Sequence, residues 1–171
     1  VDLGLNTDAV CSILISDGTV AARKFINFAA EKDHLYRVLD GIREFQRLHG
    51  SQSTKGYWTY ATRLNDELSK KIAREIVSFA ENYHADVIVF EYLDMKSKKS
   101  GSKKQKLHMW RKNGIQSVVE HKAHRCGIKI SHICAKNTSK LAYDGSGEVN
   151  RDKKNHSLCT FQTGKQYNCD L

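Results

Sequence analysis

Asp86-Val-Ile-Val-Phe-Glu91 is the stretch on which the fold prediction rests. Its consecutive β-branched and aromatic residues predict a strand that is buried on both faces. The strand ends at Glu91, and a carboxylate at the exit of a buried strand is costly unless it is paired or holds a metal ion. Glu91 is therefore the first candidate functional residue.

Two further acids lie in apolar settings, far from Glu91 in the sequence. The chain opens with Val1-Asp-Leu-Gly-Leu5 and closes with Asn168-Cys-Asp-Leu171. If the fold brings Asp2, Glu91 and Asp170 together, they form a set of hard oxygen ligands of the kind that Mg²⁺ prefers. Two such ions about 3.5–4 Å apart can stabilise both the attacking and the leaving oxygen of a phosphodiester. We therefore predict magnesium-dependent phosphodiester hydrolysis, with Asp2 bridging the metals and Mn²⁺ as a possible substitute.

Three other acids compete for the same role. Asp8 and Asp94 lie close in sequence to the predicted ligands, and Asp144 lies further along the chain. Acids in loops are usually exposed to solvent. We interpret these three as surface acids, with a supporting position beside the metal as the alternative for Asp8 and Asp94.

Bulk composition favours a polyanionic partner. The 171 residues carry a net charge of +9, and the pI is near 9.3. Such a balance is typical of nucleic-acid-binding proteins. No apolar run is long enough to cross a membrane. Five cysteines without a repeated framework favour a reducing cytoplasm over secretion.

The order of predicted elements indicates an α/β three-layer domain with a mixed sheet. An antiparallel meander with an Asp-Gly turn comes first, and helices alternate with strands after it. This is the order of the ribonuclease H-like fold, in which the first strand lies beside the strand that ends at Glu91. The predicted elements are strands over 1–5, 9–15 and 20–25, helices over 35–48 and 57–83, the strand to Glu91, a helix over 107–125 and a strand over 128–133.

A lysine-rich segment follows Glu91 and has no apolar anchor. We predict a disordered basic loop over Lys96–Lys106 that becomes ordered on nucleic acid, with a merely solvated loop as the alternative. Trp110 and Tyr92 are candidate stacking platforms for bases, whereas Trp58 fits helix packing better. The predicted nucleic-acid-binding residues are Lys96, Lys98, Lys99, Lys103, Lys104, Lys106, Trp110 and Arg111.

Three short motifs resemble the split motifs of a RuvC-type nuclease domain. They are Val1-Asp-Leu-Gly-Leu5, Val89-Phe-Glu-Tyr-Leu93 and Asn168-Cys-Asp-Leu171. Their order and spacing resemble those of TnpB proteins, which are encoded by insertion sequences and are relatives of type V CRISPR effectors. His121–Ile130 is similar to the TnpB segment that precedes the zinc ribbon, and Thr138-Ser139 matches the pair before its first zinc knuckle.

The resemblance implies a ribonuclease H-like fold and an RNA-guided DNA endonuclease whose catalytic, metal-binding acids are Asp2, Glu91 and Asp170. The partners would be DNA and a guide RNA, the latter held by upstream regions outside this chain. Residues 1–134 would form the nuclease core, 135–168 a zinc-ribbon-like insertion and 169–171 the start of the third motif. The chain would then be a fragment of a longer protein, cut at both ends.

The zinc-ribbon segment departs from the family pattern. All four positions that would bear knuckle cysteines carry other residues: Ala142, Gly145, Thr160 and Thr163. A structural zinc ion needs four ligands in a closed tetrahedral set. We therefore predict a degenerate ribbon that binds no zinc and is poorly ordered over Ala142–Thr163.

Two other functions fit the same residues. One is a guide-independent nuclease of the RuvC or transposase type, and the other is a nucleic-acid-binding module that has lost catalysis. The isolated fragment could also be inactive because its third acid lies at a frayed end.

Overall fold

A computed structural model describes residues 1–4, 7–50, 53–92, 103–134, 140–142, 145–152 and 158–168, and for 103–110 and 167–168 it describes the backbone alone. Strands and helices alternate over most of this length. The elements are β1 (Ala9–Leu14), β2 (Val20–Ile26), α1 (Ala29–His49), α2 (Lys55–Asn82), β3 (Val87–Tyr92), α3 (Lys103–Arg125), β4 (Lys129–Cys134), β5 (Asn150–Arg151), β6 (Leu158–Thr160) and β7 (Gln166–Asn168).

Strands β1 and β2 form an antiparallel hairpin closed by the predicted Asp-Gly turn. The Asp17 carboxylate accepts a hydrogen bond of 2.7 Å from the backbone N–H of Thr19. Gly18 has a φ of 83°, which a residue without a Cβ adopts at little cost. The turn therefore fixes a register in which Val10 lies opposite Phe25.

Strands β3 and β4 pair in parallel, and α3 makes the connection between them. Their register runs from Val87 opposite Lys129 to Tyr92 opposite Cys134. Ile88 and Phe90 are buried in β3, but Val87 and Val89 are 41% and 36% exposed. The prediction that this strand is buried on both faces is therefore wrong, because helices cover one face only.

The first residues of the chain join the hairpin to the parallel pair. Asp2 and Val10 exchange two backbone hydrogen bonds of 2.9 Å, and the backbone nitrogen of Val1 donates to the Val89 carbonyl at 2.8 Å. These bonds place the opening segment between β1 and β3. The strand predicted over 1–5 is thus a short bridge within residues 1–4. It links two two-stranded sheets, so that the order across the combined sheet is β2, β1, opening segment, β3, β4.

The main core lies between the sheet and helices α2 and α3. Its most deeply buried side chains are Ile72, Ile76, Phe90, Ile115 and Val119, all at most 1% exposed. The two helices approach closely where α3 has Gly114, a residue without a side chain. A Cβ at this position would lie 3.4 Å from the hydroxyl oxygen of Ser69 in α2.

Helix α1 packs on α2 through a smaller cluster of its own. Leu35, Leu39 and Ile42 meet Ala61 of α2, and Trp58 covers the cluster as a half-buried side chain. This confirms the packing role predicted for Trp58.

The C-terminal part of the described chain forms a separate small sheet. Strands β5, β6 and β7 are antiparallel, and Ala142, Cys159 and Phe161 make a local hydrophobic cluster. The prediction of poor order is therefore wrong for the described residues between 142 and 163.

Helix α3 begins earlier than predicted. The lysine-rich segment was expected to be a loop as far as Lys106, yet the helix starts at Lys103. Lysine and glutamine are good helix formers and need no apolar anchor to extend a helix that packs further on. Lys96, Lys98 and Lys99 lie outside the described residues. In the part of the chain that the structure describes, no helix has the length and apolar character of a membrane span.

We expect Ile72→Ala to lower the free energy of unfolding by about 2–5 kcal/mol, because it leaves a cavity in the main core. Leu48→Ala is the matched control, since Leu48 is 63% exposed and its truncation should change stability by about 0.5 kcal/mol or less. Denaturant unfolding of both variants measures the difference. Equal losses would contradict the assignment of the core.

Candidate active site

The alternation of side chains along two neighbouring strands puts Asp2 and Glu91 on one face of the sheet. Val1 packs against the main core, as Phe90 does, whereas Val89 is exposed. The Val1 nitrogen also donates a hydrogen bond to the Val89 carbonyl. Together, the bond and the alternation fit a parallel alignment of the opening segment with β3, in which Val1 lies beside Phe90. The next residues, Asp2 and Glu91, then lie side by side and point away from the core.

Asp2 and Glu91 are both half-buried, so that they remain accessible to solvent.

A row of paired residues crosses the sheet through the two acids. Phe25 lies opposite Val10, Val10 opposite Asp2, and Glu91 opposite Ile133. Phe25 and Ile133 are 53% and 46% exposed, whereas Val10, between Phe25 and Asp2, is 6% exposed. The two acids therefore lie between a buried residue on the hairpin side and an exposed residue on the β4 side.

The structure brings two of the three predicted ligands together. Carboxylates on adjacent strands, whose backbones are about 4.8 Å apart, are a donor set that suits Mg²⁺ or Mn²⁺. Within the described ranges no group of three potential metal ligands occurs. Asp170 lies outside those ranges, as do Asp94 and Asp144, so its role as the third ligand stays a prediction.

The basic residues predicted to bind nucleic acid fall in different places. Lys103, Lys104 and Lys106 lie in the first turns of α3, and Trp110 lies two turns into it. Arg111 is only 3% exposed. The assignment of Arg111 to a nucleic-acid-binding surface is therefore wrong, because its guanidinium points into the protein, where burial lowers its pKa despite the nearby Asp8 charge.

Asp8 is the charged residue whose placement differs most from the sequence interpretation. It is 1% exposed and not a surface acid. One of its carboxylate oxygens accepts a hydrogen bond of 2.7 Å from the backbone N–H of Phe28. The signal was present in the sequence, because Asp8 directly precedes the apolar run Ala9-Val-Cys11 and an acid beside a buried strand needs partners.

Comparisons with known proteins give structural matches of this fold. No protein-family model and no curated protein matches the chain. A cryo-EM structure of a Cas12f1–sgRNA–target DNA complex contains a similar chain, with a TM-score of 0.68 and 20% sequence identity. The match covers 98% of this chain but 45% of that one, so this chain spans less than half of its length. At this identity the likeness shows a shared mixed α/β fold.

We expect Mn²⁺ to raise the melting temperature of the chain by about 3–6 °C at ten times its dissociation constant, because a ligand that binds only the folded state stabilises it. Asp2→Asn should abolish this rise. The control is Asp86→Asn, which alters an exposed acid at the opposite end of the Glu91 strand. A rise that persists in Asp2→Asn and is absent in Asp86→Asn would place the metal elsewhere.

Proposed function

We propose that this chain is the nuclease portion of an RNA-guided, TnpB-like DNA endonuclease that hydrolyses phosphodiester bonds with Mg²⁺. The observation that carries the proposal is the pair of backbone contacts of the opening segment, Val1 with Val89 and Asp2 with Val10, whose register would set Asp2 beside Glu91. The shared fold with part of a Cas12f1 chain supports it independently.

The strand order is consistent with a ribonuclease H-like domain. The opening segment lies between an antiparallel hairpin and a parallel pair, which is the arrangement expected if the first strand of that fold lies beside the strand carrying the second acid. Because a strand's position and its residue register are both set by backbone hydrogen bonds, the two acids are held without support from loops.

Asp2 and Glu91 would hold magnesium through their carboxylate oxygens, and Asp170 is proposed as the third ligand. Bound magnesium lowers the pKa of a water ligand and stabilises the charge that develops on the attacking and leaving oxygens. The half-buried setting of both acids favours this role, because it limits competing water while leaving room for a phosphate. No other side chain is required as the primary base.

The basic start of α3 would hold the phosphate backbone. Lys103, Lys104 and Lys106 add positive charge there, and the whole chain carries +9. Tyr92, which is 61% exposed and follows Glu91, is a candidate platform for a base. Single-stranded DNA would then lie across the end of β3 that carries Glu91, since the chain runs from there to the start of α3.

DNA and a guide RNA are the proposed partners. The similar chain was solved in a complex with sgRNA and target DNA. If a longer form of this protein binds guide RNA, RNA should co-purify with it, and its absence would favour a guide-independent nuclease of the same fold.

We expect cleavage of labelled single-stranded DNA by the longest natural form of the protein with its bound RNA, and only with Mg²⁺ or Mn²⁺. Glu91→Gln should lower the rate by about 100-fold or more, because loss of groups that merely support metal ligands already costs 10–100-fold. Asp86→Asn serves again as the control variant and should cut normally. Tight binding without cleavage by the unaltered protein would indicate a binding module that lacks catalysis, and cleavage by Glu91→Gln would exclude this site.

We also expect the affinity for single-stranded DNA to fall with salt and the dependence to weaken when Lys103, Lys104 and Lys106 are changed together to glutamine. Each lost phosphate contact should reduce the slope of log K against log[salt] by about 0.7. Lys140→Gln, in an exposed position outside α3, is the control. An unchanged slope in the triple variant would show that these lysines do not contact phosphates.

A further inference from the structure

A buried charge cluster joins three elements beside the candidate site. The Asp8 side chain has no exposed area, and those of Lys32 and Arg111 are 8% and 3% exposed. Lys32 Nζ lies 3.5 Å from one carboxylate oxygen of Asp8, and Arg111 Nη2 lies 3.6 Å from the other. One carboxylate thus faces two cations inside the protein.

The three residues come from separate parts of the fold. Asp8 directly precedes β1, Lys32 is in the first turn of α1, and Arg111 is in the third turn of α3. The hydrogen bond from the Phe28 N–H also ties Asp8 to the start of α1. A single carboxylate therefore connects the base of the hairpin to two helices.

The geometry of this charge cluster is better suited to orienting α3 than to stabilising the folded state. Among the described residues, the buried Asp8 Oδ1 and Arg111 Nη2 atoms have no hydrogen-bond partner. Buried ion pairs seldom exceed the stability of apolar packing of the same volume, because desolvation offsets their attraction. Buried charges do, however, restrict the arrangement, since few positions of α3 bring the Arg111 guanidinium close to the Asp8 carboxylate.

We propose that Asp8 is a positioning residue that, through Arg111, fixes the basic start of α3 relative to the Asp2–Glu91 pair. On one side, Asp8 is two residues from Val10, whose backbone pairs with Asp2. On the other, Arg111 is five to eight residues from Lys106 and Lys103, about 8–12 Å along the helix axis. The role of those lysines in binding DNA rests on the proposed function, whereas the positioning does not.

The charges of the cluster predict that Arg111→Met and Asp8→Asn lower stability by different amounts. Arg111→Met leaves Asp8 paired with Lys32, so the remaining buried charges balance. Asp8→Asn removes the carboxylate that both buried cations face. We expect the folded-to-unfolded ratio to fall by about 10²–10³-fold in Asp8→Asn, to fall less in Arg111→Met, and to recover in part in the double variant.

Amide hydrogen exchange in the ligand-free 171-residue chain tests the positioning itself. In Arg111→Met, the amides of residues 107–111, the first in α3 with intrahelical hydrogen-bond acceptors, should exchange at least about tenfold faster, while those in the centre of α2 change little. Arg111→Lys should restore most of the protection. The control is Glu75→Gln, which removes the carboxylate from a partly exposed pair with Lys24 at 2.7 Å and should leave α3 unaffected.

Equal exchange in Arg111→Met and Glu75→Gln would overturn the proposal. If Asp8→Asn does not fold, the Arg111 variants alone decide the matter. Measurements of DNA binding then separate the positioning role of Asp8 from the DNA-binding role of the α3 lysines. Both roles are supported if Arg111→Met shows faster amide exchange and weaker DNA binding while the maximal cleavage rate is unchanged. Faster exchange with unchanged DNA affinity keeps the positioning but removes the α3 lysines from the proposed function.

Discussion

The backbone hydrogen bonds of Val1 and Asp2 hold the sheet together. Without them, β1–β2 and β3–β4 would be separate two-stranded ribbons, which are marginally stable in water. The opening segment lies between them and forms backbone hydrogen bonds with Val10 on one side and Val89 on the other. Asp2 therefore serves fold and site together, because its backbone completes the sheet and its side chain faces the open surface beside Glu91.

The one-sided arrangement of helices explains where this surface lies. Helices α2 and α3 pack on a single face of the sheet, so every second residue of β3 is buried and the others are exposed. On the other side, β3 and β4 leave Val89 and Ile133 exposed, next to the half-buried Glu91. The start of β1 is closed on both sides, because Ala9, Val10 and Cys11 are all buried.

The protein places carboxylates in two contrasting environments. Asp8 is buried, and its charge is met by two cations and a backbone N–H. Asp2 and Glu91, in contrast, are half-buried. The same chemical group is thus enclosed with two cations in one place and accessible to solvent in the other.

Local features of the sequence were predicted well because their causes are local. The Asp17-Gly18 turn, the apolar spacing of the two long helices and the position of Glu91 at the end of its strand all follow from neighbouring residues. The resemblance to RuvC-type motifs added the expectation that the first strand would lie beside Glu91, and the backbone bonds of Val1 agree with it.

Burial could not be predicted in the same way, because it depends on residues that are distant in sequence. Whether Arg111 faces solvent is decided by Asp8, more than a hundred positions earlier, and whether β3 is covered on one face or two is decided by where the helices pack. The sequence by itself determined the order of elements and the candidate acids. Only the tertiary structure decided which charges are exposed, since that depends on which surfaces meet when the elements pack.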